Sequence, residues 1–440
     1  MAVAEAPKRG TAEYVVPDKE FIKDVLALGG DSAKKCYQCG TCTTTCNVSF
    51  AKNGEEPFPR RLMLWTQWGL KDKVLTDASI WACHQCNDCS AYCPRGAKPG
   101  DVIAALRALA IERYSVPSGL AKFYREPKYL PLAFGLPFLI LTFVLVLFGV
   151  TYPAGEIIYK HFIREIYVEA VGVIVAGLAV LAAALGLLRF WGELRVSGSG
   201  TSIPSQAVAR PAVVDGPGSA TAAASEESAE VTFARTMRDV ALHNDFRACE
   251  TDRLRTWGHM AALYGFPLLI LATALSFIYG LFGIEQQHVS WIDPMKIAGN
   301  VGGLLALGGI ALLMFLRFRA KKGQWGVATY FDWLLLAVIF ANVFTGFLVQ
   351  FSRLANLNPL AYQLYVFHLG LVLATFLYIP YGKFAHIFYR TAALAAIRQR
   401  GKTSPQRMFI LLPAAAAVAV GAAAVAVGVL AILFWLLQAV

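Results

Sequence analysis

The sequence predicts a mainly α-helical chain in two parts, an N-terminal helical domain built around cysteines and a bundle of membrane-crossing helices. Three observations predict it. Of the nine cysteines in 440 residues, eight fall between residues 36 and 93. The chain is 57% hydrophobic with a mean hydropathy of +0.51, well above the usual soluble composition. The apolar excess collects in long runs after residue 130, each near or above the roughly 18–20 residues that span a bilayer.

Residues 1–125 are mixed and charged, as in a soluble domain. The first residues, MAVAEAPKRGTAEYVV, lack an apolar stretch, so no secretory signal is expected. The segment 57–70 reads as a helix with proline near its start, and 101–114 as another with Asp101 placed as its cap. Seven apolar windows follow, at 129–150, 167–191, 257–281, 297–318, 330–349, 362–388 and 408–437. The first two make a pair within 126–195. The stretch 196–230 is rich in Gly, Ser, Ala and Pro without periodicity and reads as a flexible linker. Residues 231–256 are charged and partly periodic, as expected of a cytoplasmic helix at the membrane surface, and 257–440 holds the other five windows.

Loop charge sets the expected orientation. Arg317, Arg319, Lys321 and Lys322 lie between windows four and five, and Arg390, Arg398, Arg400, Lys402 and Arg407 between six and seven. The loops at 151–166, 284–296 and 352–361 carry few positive charges, so the first set is expected in the cytoplasm. Seven spans then put the N-terminal domain in the cytoplasm and Val440 outside. The net charge of +11 belongs to this bias rather than to nucleic-acid binding.

Cys36, Cys39, Cys42 and Cys46 form a C-x2-C-x2-C-x3-C run, and Cys83, Cys86, Cys89 and Cys93 repeat it, with Pro94 following. Two-cluster ferredoxins use this run, with the fourth cysteine ligating the other cluster. One [4Fe–4S] cluster is therefore assigned to Cys36, Cys39, Cys42 and Cys93, and the second to Cys83, Cys86, Cys89 and Cys46. Zinc favours C-x2-C pairs separated by a long loop, which two triplets at two-residue intervals fit poorly. Cys46 is followed by Asn47 rather than proline, and Cys249 is left over as a structural thiol.

Three of the seven histidines, His259, His368 and His386, lie in apolar windows. An ionisable residue in a membrane segment is a candidate functional residue, and histidine is a common haem ligand. His368 and His386 stand 18 residues apart on one window, five full turns or about 27 Å if the helix is continuous. That spacing suits one b-type haem near each face. His259 and His386 fall at similar depth on the cytoplasmic side and form the expected clamp for one haem. His368 lies toward the outer face, where the outer-loop residues His161 and His288 are its candidate partners. Hydrogen bonding between helices is the alternative for all three, and His84 and His243 are read as non-ligating. Lys383, Arg390, Arg253 and Arg255 either neutralise haem propionates or snorkel to the interface. Lys296 either hydrogen-bonds a quinone oxygen or anchors a helix end. No Gly-rich dinucleotide fingerprint and no P-loop is present, which assigns substrate chemistry to partner subunits.

Residues 36–46 (CYQCGTCTTTC) and 83–97 (CHQCNDCSAYCPRGA) resemble the C subunit of heterodisulfide reductase. Residues 257–390 resemble the cytochrome b subunits of heterodisulfide reductase and respiratory nitrate reductase, including the 18-residue histidine spacing. The two parts in one chain resemble the C-subunit family of quinone-interacting membrane-bound oxidoreductase complexes. The nitrate reductase helix that matches window three carries a second histidine ten residues after the first, where this chain has Leu269. The resemblance implies a transmembrane bundle of the cytochrome b type with one or two b haems. It also implies menaquinone as substrate, cytoplasmic partner subunits containing flavin and iron–sulfur centres, and a link to adenylylsulfate reductase in sulfate reduction. The expected function is the membrane subunit of a quinone-linked oxidoreductase. The alternative is a haem-free membrane anchor that tethers a ferredoxin domain to its partners.

Overall fold

The computed structural model describes residues 16–46, 48, 58–153, 155–200, 229–242, 253–284, 289–320, 326, 329–399 and 421, and among these it is helical with no strand. The first helix, α1 (Lys19–Val25), starts where the Asp18 carboxylate accepts the Phe21 N–H at 2.9 Å. A wide π-helical turn over Leu26–Gly30 and a tighter 3-10 turn over Asp31–Lys35 then deliver the chain to Cys36. Among the described residues the N-terminal part continues with α2 (Thr41–Thr44), α3 (Phe58–Gln67), α4 (Lys71–Leu75), α5 (Ser79–Ala82), α6 (Asp88–Ala91) and α7 (Pro99–Tyr114). The core forms where α7 presents Val102, Ile103 and Leu106 to Phe21, Val25, Leu62 and Trp81, all within 1% of full burial. Asp101 is not the cap expected of it. Pro99 has no N–H to lose and opens the helix after Lys98, which leaves the Asp101 carboxylate buried in the first turn, where the helix dipole favours it.

Helix α8 (Ser118–Arg125) leads into the apolar part. There follow α9 (Leu130–Phe148), the short α10 (Tyr159–Phe162), α11 (Glu165–Gly200), α12 (Ala229–Leu242), α13 (Arg253–Leu281), α14 (Pro294–Arg319), α15 (Tyr330–Leu354), α16 (Leu360–Tyr378) and α17 (His386–Gln399). Six of the described helices (α9, α11, α13, α14, α15 and α16) are long and apolar enough to cross a membrane. They correspond to the first six apolar windows. The window at 408–437 lies outside the described residues apart from Gly421, as do His288, His243 and Cys249. Of the expected linker, 196–200 continue α11 as helix and 201–228 lie outside the described residues.

The sixth window is not one helix. α16 ends at Tyr378, the chain turns, and a 3-10 turn over Lys383–Ala385 precedes α17. Pro380 lacks the N–H that would extend α16, and Gly382 is fully extended at φ −94° and ψ −175°. His368 and His386 therefore do not lie on one continuous helix, and the 27 Å figure, which assumed one, no longer applies. His368 stands ten residues before the end of α16, about 15 Å along its axis.

Small residues bring α13 and α14 together. A Cβ at Gly265 would lie 2.5 Å from the Ala306 nitrogen, and one at Gly309 would lie 2.6 Å from the Gly258 oxygen. Backbones this close are the packing that membrane helices achieve with glycine and alanine.

The N-terminal domain and the bundle share one core. Trp81 packs on Tyr389 at 5.2 Å between centroids, Tyr114 on Phe190 at 4.9 Å, and Phe190 on Tyr389 at 5.3 Å. Glu193 of α11 accepts from Tyr114 Oη and Arg113 Nε, both at 2.9 Å, and Tyr381 Oη donates to the Val116 carbonyl at 2.8 Å. The second cysteine run is thereby seated against α17.

Candidate functional site: two cysteine loops above a histidine-lined cavity

The two cysteine runs fold alike. Gln38 and Gln85, each just before the second cysteine, have φ of 61° and 53°. Gly40 and Asn87, each just after it, have φ of 89° and 73°. These left-handed positions turn each loop back on its own sulfurs: the Gln85 backbone N–H donates to Cys83 Sγ at 3.3 Å, and the Gln38 side chain donates through Nε2 to Cys36 Sγ at 3.4 Å. Each loop then enters a four-residue helix, α2 or α6, that carries the third cysteine.

The thiols gather crosswise. Cys36, Cys39, Cys42 and Cys93 line one crevice, with Arg60 and Arg95 at its edge. Cys89 feels the charges of Cys83, Cys86 and Cys46. Burial pushes the Cys42 thiol up to about 11 and raises Cys36 and Cys89, with the other thiols of each set adding to the rise. Cys39, at the surface, is lowered by the Thr41 hydroxyl 3.4 Å away. Buried thiols so mutually repulsive ionise together only around a positive core, which fits them to a metal cluster. Among the described residues no three His, Cys, Asp or Glu side chains close tightly enough to hold a single ion; each set is a wider cup. All eight cysteines are free of disulfides.

Three arginines grip the backbone of the second loop. Arg390 of α17 donates through Nη1 to the carbonyls of Trp81 at 2.8 Å and Cys83 at 3.0 Å, with Nη2 3.4 Å from His84 Nε2. Arg255 of α13 donates to the Gln85 carbonyl at 3.1 Å. Arg107 of α7 donates to the Ile80 carbonyl at 2.7 Å and to that of Cys83.

Below the loop lies a cavity of about 1840 Å³, lined mostly by apolar side chains. That is about twice the upper end of common small-molecule pockets. Cys83, His84 and Gln85 line one end, His259, His386 and His368 its walls, and Lys296 the far end. His386 opens α17, and its imidazole feels the charge of His259 on α13. Burial pushes it down to about 3, so the ring is neutral. His386 Nδ1 lies 2.6 Å from the Lys383 carbonyl, which only accepts, so the proton sits on Nδ1 and the Nε2 lone pair is left for a ligand. The same holds for His368. Its Nδ1 is 3.0 Å from Thr345 Oγ1, whose own proton goes to the Ala341 carbonyl at 2.8 Å, so Thr345 accepts from the ring. His386, its Nε2 lone pair free, acts electrostatically on His259 in a large apolar cavity with Arg255, Arg390 and Lys383 on its wall, a donor set whose chemistry fits a haem.

Asp332 of α15, capping its own helix through Thr329, pairs with Lys383 and so braces the turn that carries His386. Lys296 Nζ donates to the Val289 carbonyl and lies 5.4 Å from the centre of the Trp291 ring. His161 is exposed on α10 and does not line the cavity, and Arg253 is exposed at the start of α13. His259 and His386 thus line one cavity and act electrostatically on one another, and His161 is not in the lining that His368 shares with them. Sequence reasoning missed Arg107, Asp332 and Thr345, of which only Asp332, three residues after Thr329 at a helix start, carried a signal.

Residues 32–97 match the family described as a 4Fe-4S dicluster domain, and residues 130–409 match the family described as citrate utilization protein B. The N-terminal part is 38% identical over 91 residues to the C subunit of the H(2):CoB-CoM heterodisulfide,ferredoxin reductase of Methanothermobacter thermautotrophicus, covering 20% of this chain and 47% of that protein. An Archaeoglobus profundus protein named for its likeness to the C subunit of heterodisulfide reductase is 35% identical over 101 residues, 23% of this chain and 53% of that protein. Citrate utilization protein B of Escherichia coli is 26% identical over 346 residues, 73% of this chain and 82% of that protein. The chain therefore spans about half the length of the heterodisulfide reductase relatives it matches.

Proposed function

The chain belongs to the citrate utilization protein B family, and from that premise and its two cysteine cups we propose that it is a membrane-bound iron–sulfur electron-transfer subunit that exchanges electrons with quinone. The observation that carries the reading is the single cavity joining the Cys83 loop to His259, His386 and His368. Cys36, Cys39, Cys42 and Cys93 would hold one [4Fe–4S] cluster, and Cys83, Cys86, Cys89 and Cys46 the other. His259 and His386 would ligate one haem b, which supplies a one-electron relay when bound. Lys383 fixes the His386 tautomer, and Arg255 and Arg390 neutralise negative charge at that level. His368, held by Thr345, is the candidate ligand for a second haem.

Lys296, at the far end of an apolar cavity, offers an ammonium to a quinone oxygen; menaquinone is the quinone we propose. The glycine-rich α13–α14 contact and the three arginines hold these groups and the Cys83 loop in one rigid frame. The N-terminal domain faces the cytoplasm in this reading, by the charge of the loops. Its partners are cytoplasmic subunits with flavin and iron–sulfur centres, in which the terminal substrate chemistry resides. The resemblance to the quinone-interacting complexes makes adenylylsulfate reductase, and so sulfate reduction, the proposed outlet.

The test is a visible spectrum of the dithionite-reduced chain with iron and haem quantification. The reading expects eight cluster irons, at least one haem and a b-type α-band. His259→Ala and His386→Ala should each remove the same haem. A chain with full cluster iron and no α-band leaves the haem-free anchor standing instead.

A further inference from the structure

The two cysteine cups are not equivalent in their surroundings. The Cys83 loop is roofed by the bundle: Cys83 is 8% exposed, and arginines of α13 and α17 hold its carbonyls. The Cys36 loop turns outward. Cys39 is exposed, and the side chains beside it, Tyr37 and Tyr92, are 67% and 64% exposed. Large aromatic rings left that bare on a rim are characteristic of contact surfaces. The rim is also basic. Arg95 lies over the Tyr37 ring at 4.0 Å, Arg60 acts electrostatically on Cys36 and Cys39, and both arginines are exposed. Lys34 and Lys35, in the turn that enters the loop, are exposed as well. Asp31 and Asp88 are the described acids nearest in sequence to Cys39 and Tyr92 respectively, and Asp88 is only half-exposed; Asp101, near Arg95 in sequence, is buried.

We propose that this face, with Cys39 at its centre and Tyr37, Tyr92, Arg60, Arg95, Lys34 and Lys35 around it, is the docking site of a soluble electron-transfer protein that presents an acidic patch over its own redox centre. Clustered like charge steers an opposite charge to the site and raises the association rate by roughly 10- to 1000-fold at low salt. The exposed edge of the cup makes the Cys36 cluster the exchange point with solvent-borne partners, and the roofed Cys83 cluster the one that faces the membrane cavity. The inference rests on the cysteine-cup reading and is independent of whether haem is bound.

The test uses the full chain in nanodiscs and reduced flavodoxin, an acidic soluble flavoprotein, as the probe. Stopped-flow bleaching of cluster absorbance gives the second-order rate as a function of ionic strength. The wild type should lose rate steeply as salt rises. The Arg60→Glu/Arg95→Glu pair should lower the low-salt rate at least about tenfold and flatten the salt dependence. If that pair loses cluster iron, Lys34→Glu/Lys35→Glu gives the same readout away from the cup. The control, Lys122→Glu/Lys128→Glu, reverses two charges on α8 and its exit turn and should leave the rate unchanged. Equal rates and slopes in wild type and both rim variants overturn the proposal, as does a drop in the control alone. A chain with clusters but no α-band would fail the haem reading while leaving this measurement intact.

Discussion

Replacing Arg390 with glutamine should lower the midpoint potential of the Cys83-loop cluster by about 90 mV and leave the Cys36-loop cluster near its original value. The sign follows from charge. Reduction adds an electron, and a nearby cation stabilises the reduced state; removing it makes reduction harder. The magnitude follows from placement. Arg390 Nη1 lies 3.0 Å from the Cys83 carbonyl, so the guanidinium stands within about 8 Å of a cluster on that cysteine. With an effective dielectric constant of about 20, a unit charge there is worth about 2 kcal/mol, or about 90 mV for one electron. The Cys36 cup lies on the outward side and should move by less than about 20 mV. The Trp81 carbonyl would lose a donor at 2.8 Å, costing about 1.5–3 kcal/mol of stability, while Arg107 still holds the Cys83 carbonyl. The assay is an EPR-monitored redox titration of the purified chain, with Arg390→Lys as the variant that keeps the charge and loses the fork. Lysine should recover most of the potential. Two clusters that shift together, or neither shifting with the guanidinium gone, would refute the claim that this arginine acts locally on the Cys83 loop.

Two other predictions follow from the same contacts. Cys46→Ser should damage the cluster of the Cys83 loop and spare that of its own run, because Cys46 lies in the thiol set of Cys83, Cys86 and Cys89; EPR of the reduced variant shows which signal goes. Gly265→Leu should destabilise the bundle by about 1–3 kcal/mol, since even a Cβ would meet the Ala306 nitrogen at 2.5 Å, and it should lower the thermal midpoint in detergent together with any haem held by His259.

Much of this arrangement was legible from residue spacing because its determinants are local. Cysteines at two-residue intervals specify a loop that wraps a cluster, and twenty apolar residues specify a helix that needs no neighbour to be recognised. The break between Tyr378 and His386 was missed: Pro380 and Gly382 sit inside the window, but its apolar content masked their meaning. Pro137 and Pro267 show why such a signal is ambiguous, since α9 and α13 continue through them. The arginine grip was not legible. Arg107, Arg255 and Arg390 come from three helices up to 283 residues apart in the chain, and only the folded interface gives them a common target. Thr345 became informative only because α15 carries it to His368.

The likeness of the two cysteine loops makes their differences meaningful. The backbone demands a left-handed residue after the second cysteine in both, and the chain supplies Gly40 in one and Asn87 in the other. Asn87 is buried and accepts from Ser90 Oγ at 3.0 Å, and a Cβ on Gly100 would strike it at 2.4 Å. The asparagine therefore ties its loop into the start of α7 and the protein interior. At Gly40 the nearest atom a Cβ would meet is the Arg60 stem at 4.0 Å, and nothing packs closer. One loop is clamped from beneath and the other is left open at its rim, on the same backbone. In the proposed reading, an electron exchanged with the cavity would pass through the clamped loop, whose position is fixed against the membrane helices. The open loop is the one a diffusing partner can approach. The duplicated motif thus gives the chain two ends of different kinds, and the side chains around each loop, not the cysteines, set which end is which.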